Sequence, residues 1–202
     1  MEPRAVSERW GCAGPATETI PWRCPNEKCL SPVPPLRGVG ILTDAVQRFV
    51  REQRLGYVAT VSEDGTPNLS PKGSLTVLDD NNLVFADVES PHTVRNLTTN
   101  PRTEVNVVDP FLRKGYRFRG TASVLHTGIS FWKVLEMYRA EGADVRRIRA
   151  VVVIEVREVL PLISPVYLVG RVEEEDIRSR WQEYYRTAHS RSALDLVPPH
   201  EF

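Results

Sequence analysis

The chain has 202 residues, 41% of them apolar, which allows one ordinary domain of roughly 100–200 residues plus a tail. Its 26 basic and 26 acidic residues cancel, so no overall field favours nucleic acid or an anionic membrane surface. No run of about 18 apolar residues offers a membrane-spanning helix, and the first residues lack a secretory signal pattern, so a cytoplasmic protein is expected.

Residues 1–38 are rich in Pro, Gly and Cys and show no apolar periodicity. They read as a disordered extension, or as the result of a misassigned start, with Val39 a natural beginning. Cys12, Cys24 and Cys29 are the only cysteines. Their odd number does not describe a disulfide scaffold. They supply no more than part of a zinc site, so no metal is expected.

Order is expected over 39–190, ahead of a flexible tail over 191–202. Thr43 and Asp44 are helix-capping types. Val46, Phe49 and Val50 follow at the spacing of one helical face, and Gly56 marks the end. Gly56–Ser62 reads as a strand. Asp64–Gly65 reads as a hairpin turn of the primed kind, with Pro67–Val77 the returning strand. Asp79–Asn82 is a second turn and Leu83–Val88 a third strand. Ser90–Asn100 reads as a short helix with Val94 and Leu97 inward. Thr103–Val108 and Tyr116–Leu125 are strands around a charged loop. Ile129–Glu141 is an amphipathic helix with Phe131, Trp132, Leu135 and Tyr138 as buried candidates. Ala150–Val159 is a strongly apolar strand, Leu162–Val169 a short one, and Glu173–His189 a charged helix. Strands come in consecutive runs and do not alternate with helices. That pattern predicts a mainly β fold, an antiparallel split barrel of six or seven strands with peripheral helices.

Side-chain catalysis finds little support. There is no Gly-x-Ser-x-Gly elbow, no phosphate loop, and the four histidines are scattered. A bound cofactor would then carry the chemistry. Two segments stand out. Ser70-Pro-Lys72-Gly73-Ser74 places a cation, hydroxyls and a small residue inside a strand. Ser90-Pro-His92-Thr93 begins a helix, where free N–H groups and the dipole favour a phosphate. Taken singly, Ser90 is better explained as a helix cap and Lys72 as a solvated side chain.

The run ATVSEDGTPNLSPKGSLTVLDDNNLVFADVESPHTVRNLTTNPRTEV, followed by YRFRGTA, resembles the pyridoxamine 5'-phosphate oxidase-like family of FMN-binding split barrels. The resemblance spans roughly residues 42–170. It implies FMN bound at the interface of a homodimer. It further implies that Ser70, Lys72, Gly73 and Ser74 lie along the flavin, with Ala86 and Asp87 facing it. Ser90, His92 and Thr93 would hold the phosphate, with Asn96 steadying their helix. Arg119 would lie near the cofactor or its partner chain, and Tyr167 would approach the flavin from the partner chain. Thr93 stands where a true oxidase carries a lysine, and the C-terminal Arg-x-His motif of those enzymes is missing. The resemblance is thus to the FMN-binding proteins and flavin reductases of the group. It implies an oxidoreductase acting on a small molecule, with no catalytic side chain identified. A non-enzymatic flavin store or electron carrier, and a barrel holding deazaflavin or haem, are the alternatives.

Overall fold

The structure, a computed structural model, describes residues 40–169 and 172–190. The cysteines, the extension over 1–38 and the tail over 191–202 lie outside the described residues. The first helix, α1 (Asp44–Gln53), opens on Thr43, whose hydroxyl accepts the Val46 N–H. Val46 and Val50 face inward, and the helix stops at Arg54 in the left-handed region, φ 53°. Strands β1 (Gly56–Val61) and β2 (Pro67–Lys72) form the first hairpin. Only Gly65 in its turn has positive φ, 85°, so the turn is not the primed type expected. Gly65 N–H returns to Ser62 O, and the Asp64 carboxylate accepts the Thr66 N–H; this is a longer loop ending on a left-handed glycine.

The expected continuous strand over Pro67–Val77 is broken. A turn at Gly73–Leu75, closed by Leu75 N–H on Lys72 O, separates β2 from β3 (Thr76–Val77). The reason is phase. Asn68, Ser70 and Lys72 alternate inward on β2, so an unbroken strand would point Leu75 and Val77 outward. The turn shifts the phase by one, and both residues enter the core at 2% and 4% exposure.

The chain continues through β4 (Asn82–Asp87), α2 (Pro91–Thr99), β5 (Arg102–Asp109), β6 (Lys114–Leu125) and α3 (Ile129–Ala140). On α3 the buried positions are Phe131, Val134, Leu135 and Tyr138. Trp132, expected among them, is 57% exposed, because it lies one position off that stripe. A single 3₁₀ turn (Val145–Arg147) leads into β7 (Ala150–Ile163). The short strand expected at Leu162–Val169 is divided. Its first two residues finish β7, opposite Lys114 and Gly115, and Pro165 starts the brief helix α4 (Val166–Val169). The last helix, α5 (Glu174–Ser190), sets Trp181 against the Arg113 guanidinium, 3.7 Å from its ring centre.

All strand pairs are antiparallel, in the order β2-β1-β5-β6-β7-β4-β3, which makes a curled, split barrel. Its inside is packed by Val58, Phe85, Val105, Phe118 and Ile154 against α1. A bulge on β7 opposite Arg119 and Gly120 helps the sheet bend. Strands β4 and β7 are covered on both faces, since α3 packs on Val84, Ala86 and Val151 from outside. That double burial explains the unbroken apolar run of β7.

Candidate functional site

In the sheet order β2 and β4 are not neighbours. Their facing sides form a seam, and it is polar. Lys72 at the end of β2 is only 4% exposed, and its Nζ lies 5.6 Å from the ring centre of Phe85 on β4. Nζ donates to Ser70 Oγ and to Ser90 Oγ, each at 2.6 Å. Its third proton has no hydrogen-bond partner among the described residues. Burial pushes the Lys72 ammonium below its ordinary pKa, and the nearby Asp87 carboxylate opposes that shift. Asp87 in turn accepts the Ser90 N–H at 2.8 Å.

Ser90 is the N-cap residue of α2, yet its hydroxyl makes no capping bond. It accepts from Lys72 instead. Pro91 has no N–H, and the N–H groups of His92 and Thr93 find no acceptor among the described residues. The helix therefore begins with two unpaired donors and the positive end of its dipole, beside a buried ammonium. His92 is exposed and lines a cavity of about 320 Å³ with Arg95, Asn96 and the β1–β2 turn.

Thr93 and Asn96 turn toward the β1–β2 hairpin. Both are buried, at 2% and 5% exposure. Asn68 Nδ2 donates to Thr60 Oγ1 at 3.0 Å and reaches Thr93 Oγ1 at 3.4 Å, while Asn96 Nδ2 donates to Thr60 at 3.1 Å. These four residues lock α2 onto the β1–β2 hairpin. Asn68 and Thr60 were not singled out in the sequence. The signal for Asn68 was available: polar residues at 68, 70 and 72 mark the inward face of a strand that borders no apolar neighbour.

Ser74 meets Ala86 where the β3–β4 pairing runs on into the turn. Ser74 Oγ accepts the Ala86 N–H at 3.0 Å and donates to Ala86 O at 3.2 Å. Gly73 lies in the adjoining turn, with open space where a Cβ would project. Six of the expected residues, Ser70, Lys72, Gly73, Ser74, Asp87 and Ser90, thus gather along one seam; Ala86 joins them through its backbone while its side chain packs on α3, and His92 opens to the cavity beside the β1–β2 turn, with Thr93 and Asn96 on the same helix. Arg119 is apart from them. It lies on the outer face of β6, three strands from β2, between Glu104 (2.8 Å) and Glu158 (3.0 Å). Tyr167 is also apart. Its hydroxyl donates to Leu112 O at 2.7 Å, and its ring lies 4.0 Å from Lys114 Nζ.

Among the described residues no cluster of His, Cys, Asp and Glu could hold a metal, and no helix is long and apolar enough to cross a membrane. An unpaired ammonium proton and two unpaired helix N–H groups form a donor set suited to a phosphate or to the polar edge of a ring. FMN carries both, so the residues present fit it.

The comparisons with known proteins agree with this architecture. No curated protein matches the chain. Group A Streptococcus HupZ is 29% identical, with a TM-score of 0.55 over 60% of this chain and 94% of that one. A candidate pyridoxamine 5'-phosphate oxidase from Lactobacillus delbrueckii is 26% identical, with a TM-score of 0.52 over 61% and 97%. An FMN-binding protein from Syntrophomonas wolfei shares the fold at 16% identity, TM-score 0.50, over 65% and 88%. The family model for pyridoxamine 5'-phosphate oxidase matches residues 42–162, from the entry to α1 to the end of β7, and the chain belongs to that family.

Proposed function

We propose that the protein is an FMN-binding oxidoreductase, active as a homodimer, with the flavin seated along the β2–β4 seam. The observation that carries this reading is the diverted cap of α2. Ser90 gives its hydroxyl to Lys72 and leaves the His92 and Thr93 N–H groups unpaired. An uncapped helix start costs stability, so a structure that keeps one beside a buried cation suits an anionic ligand. His92 and the α2 donors would hold the phosphate. Lys72, Ser70 and Ser74 would border the ring system. FMN, when bound, supplies hydride or electron transfer. The chain's own residues position it, shield it from water and set its electrostatic surroundings.

The outer face of β1 and β2 supports a dimer. Its outward positions are Tyr57, Ala59, Val61, Pro67, Leu69 and Pro71, apolar without exception. Leu69 is 65% exposed and Tyr57 42%. An apolar stripe on two adjacent strands, without a covering helix, suits a second copy. Loss of the Arg-x-His motif argues against oxidation of pyridoxamine phosphate, and the substrate is a different small molecule.

An absorbance spectrum of the purified protein, with the released cofactor identified by mass, tests the reading. A flavin spectrum and the mass of FMN are expected, followed by bleaching with NADH or NADPH. Colourless protein that takes up no added FMN would overturn it.

A further inference from the structure

Beside the Gly73–Leu75 turn lies a second cavity, of about 400 Å³. Its walls come from three elements: Arg51 and Arg54 at the end of α1, Gly73, Ser74 and Thr76 around the turn, and Tyr138 with Glu141 at the end of α3. Of these, only Gly73 and Ser74 also belong to the flavin reading.

Several independent features of this cavity concern one kind of ligand. Arg51 has no acidic partner among the described residues; it donates only to Gln47 Oε1, at 3.1 Å. Arg54, the C-cap residue of α1, stands three residues on and lines the same cavity, so two guanidinium groups border one space. Arg54 also holds φ 53°, a conformation in which Gly or Asn is the usual occupant. Keeping an arginine there costs backbone energy, and such strain collects at functional positions. Glu141 reaches Arg54 at 3.2 Å, but both ends of that pair are well exposed, at 43% and 70%, so the pair is weak and readily exchanged.

The turn opposite the arginines is held in place with unusual completeness. The buried Tyr138 hydroxyl donates to Ser74 O at 2.9 Å. The Ser74 hydroxyl is fixed at both its donor and acceptor sides by Ala86. Yet the N–H groups of Gly73 and Ser74 have no acceptor among the described residues. A rigid turn with two unpaired donors, lining the same cavity as two guanidinium groups, is suited to an oxyanion.

We propose that this cavity is a binding site for the oxyanion end of a small molecule, a carboxylate or a phosphate, gripped by Arg51 and Arg54 against the Gly73–Ser74 turn. The site adjoins the β2–β4 seam at Gly73 and Ser74, but its arginines take no part in the flavin reading.

Calorimetric titration with inorganic phosphate and with malonate, at low ionic strength, tests this on the full chain. Arg51→Ala and Arg54→Gly are the variants. The wild-type protein binds at least one of the two anions, and the preferred one tells phosphate from carboxylate. Each variant weakens that binding by about tenfold or more, the usual weight of a charge-assisted hydrogen bond. Arg54→Gly should keep or raise the melting temperature, because glycine relieves the left-handed strain; a merely structural arginine would not separate binding from stability in this way. FMN uptake by both variants should match wild type. The proposal is overturned if wild type binds neither anion, if the variants bind as wild type does, or if FMN uptake falls with anion binding. Failure of wild type to bind FMN would sink the flavin reading alone, since the anion titration needs no flavin.

Discussion

Tyr138→Phe removes one oxygen atom and tests how the Gly73–Leu75 turn is held. The phenol is 4% exposed, and its hydroxyl donates to Ser74 O at 2.9 Å. Loss of the donor leaves a partly buried carbonyl short of a partner, which costs about 1–2 kcal/mol. In a domain of this size that is a fall in Tm of about 2–8 °C. Phenylalanine fills the same volume, so no cavity term is added. The change also has a pH signature. Burial, then the charge of Glu141, pushes the Tyr138 hydroxyl well above its ordinary pKa. A raised folded-state pKa means that the unfolded chain gives up the proton first. The contribution of the phenol is complete below its ordinary value of about 10 and is lost as pH rises beyond it. Urea unfolding of both proteins at pH 7 and at pH 10.5 measures this. Wild type should be the more stable at pH 7, and the difference should shrink at the higher pH. Equal stability at pH 7, or a difference that grows with pH, would refute the account of the turn.

Other substitutions probe the remaining parts. Gly115→Ala would place a Cβ 2.1 Å from Val107 O, a backbone atom of the neighbouring strand; the β5–β6 pairing must shift, and denaturant unfolding should show a loss of about 1–3 kcal/mol. Leu69→Glu sets a charge in the exposed stripe of β1 and β2; light scattering should report a monomer with the fold intact by circular dichroism, and a persisting dimer would move the interface elsewhere. His92→Glu puts a carboxylate at the start of α2, where the helix itself tolerates it. The same charge opposes a bound phosphate, so fluorescence titration should show FMN affinity down by about tenfold or more. Unchanged affinity would remove the phosphate from that helix. Thr93 is unsuited to such a test, because at 2% exposure a glutamate there would disrupt the contact with Asn68 before it met any ligand.

The strands were legible because their period is short and their turns carry Gly, Asn and Asp. The two errors of strand extent have local causes. At 67–77 the apolar residues change phase between Lys72 and Leu75, and a run of β-compatible residues hides that change unless parity is counted. At 162–169 the apolar composition suits strand and helix alike, and Ser164-Pro165 marks the boundary. The candidate site was legible where ligand-type residues are close in the chain, as in Ser70–Ser74 and Ser90–Thr93. It was illegible where the sheet order decides the meeting. Arg119 shares a motif with the site in sequence; within the protomer its outward parity on β6 sets it against Glu104 and Glu158, and its meeting with a partner chain is decided outside this fold. Arg51 and Arg54 look like ordinary surface residues of a helix, and only the return of α3 across the Gly73 turn brings Tyr138 opposite them.

The sheet order begins with β2 and ends with β3, and these two strands are consecutive in the chain, joined by Gly73–Leu75. The barrel is therefore a ring fastened at one end by covalent bonds and closed at the other only by side-chain hydrogen bonds. Between Lys72 and Thr76 the chain reaches no further than about 14 Å even when fully extended, so the seam cannot gape there. It can widen only toward the start of β2, where Asn68 meets α2 through Thr93. Motion of α2 against the hairpin would act as the jaw of a clasp whose pivot is the Gly73 turn. A molecule entering the seam should come from the α2 end, and its arrival should slow amide exchange most strongly in α2 and in the first residues of β2.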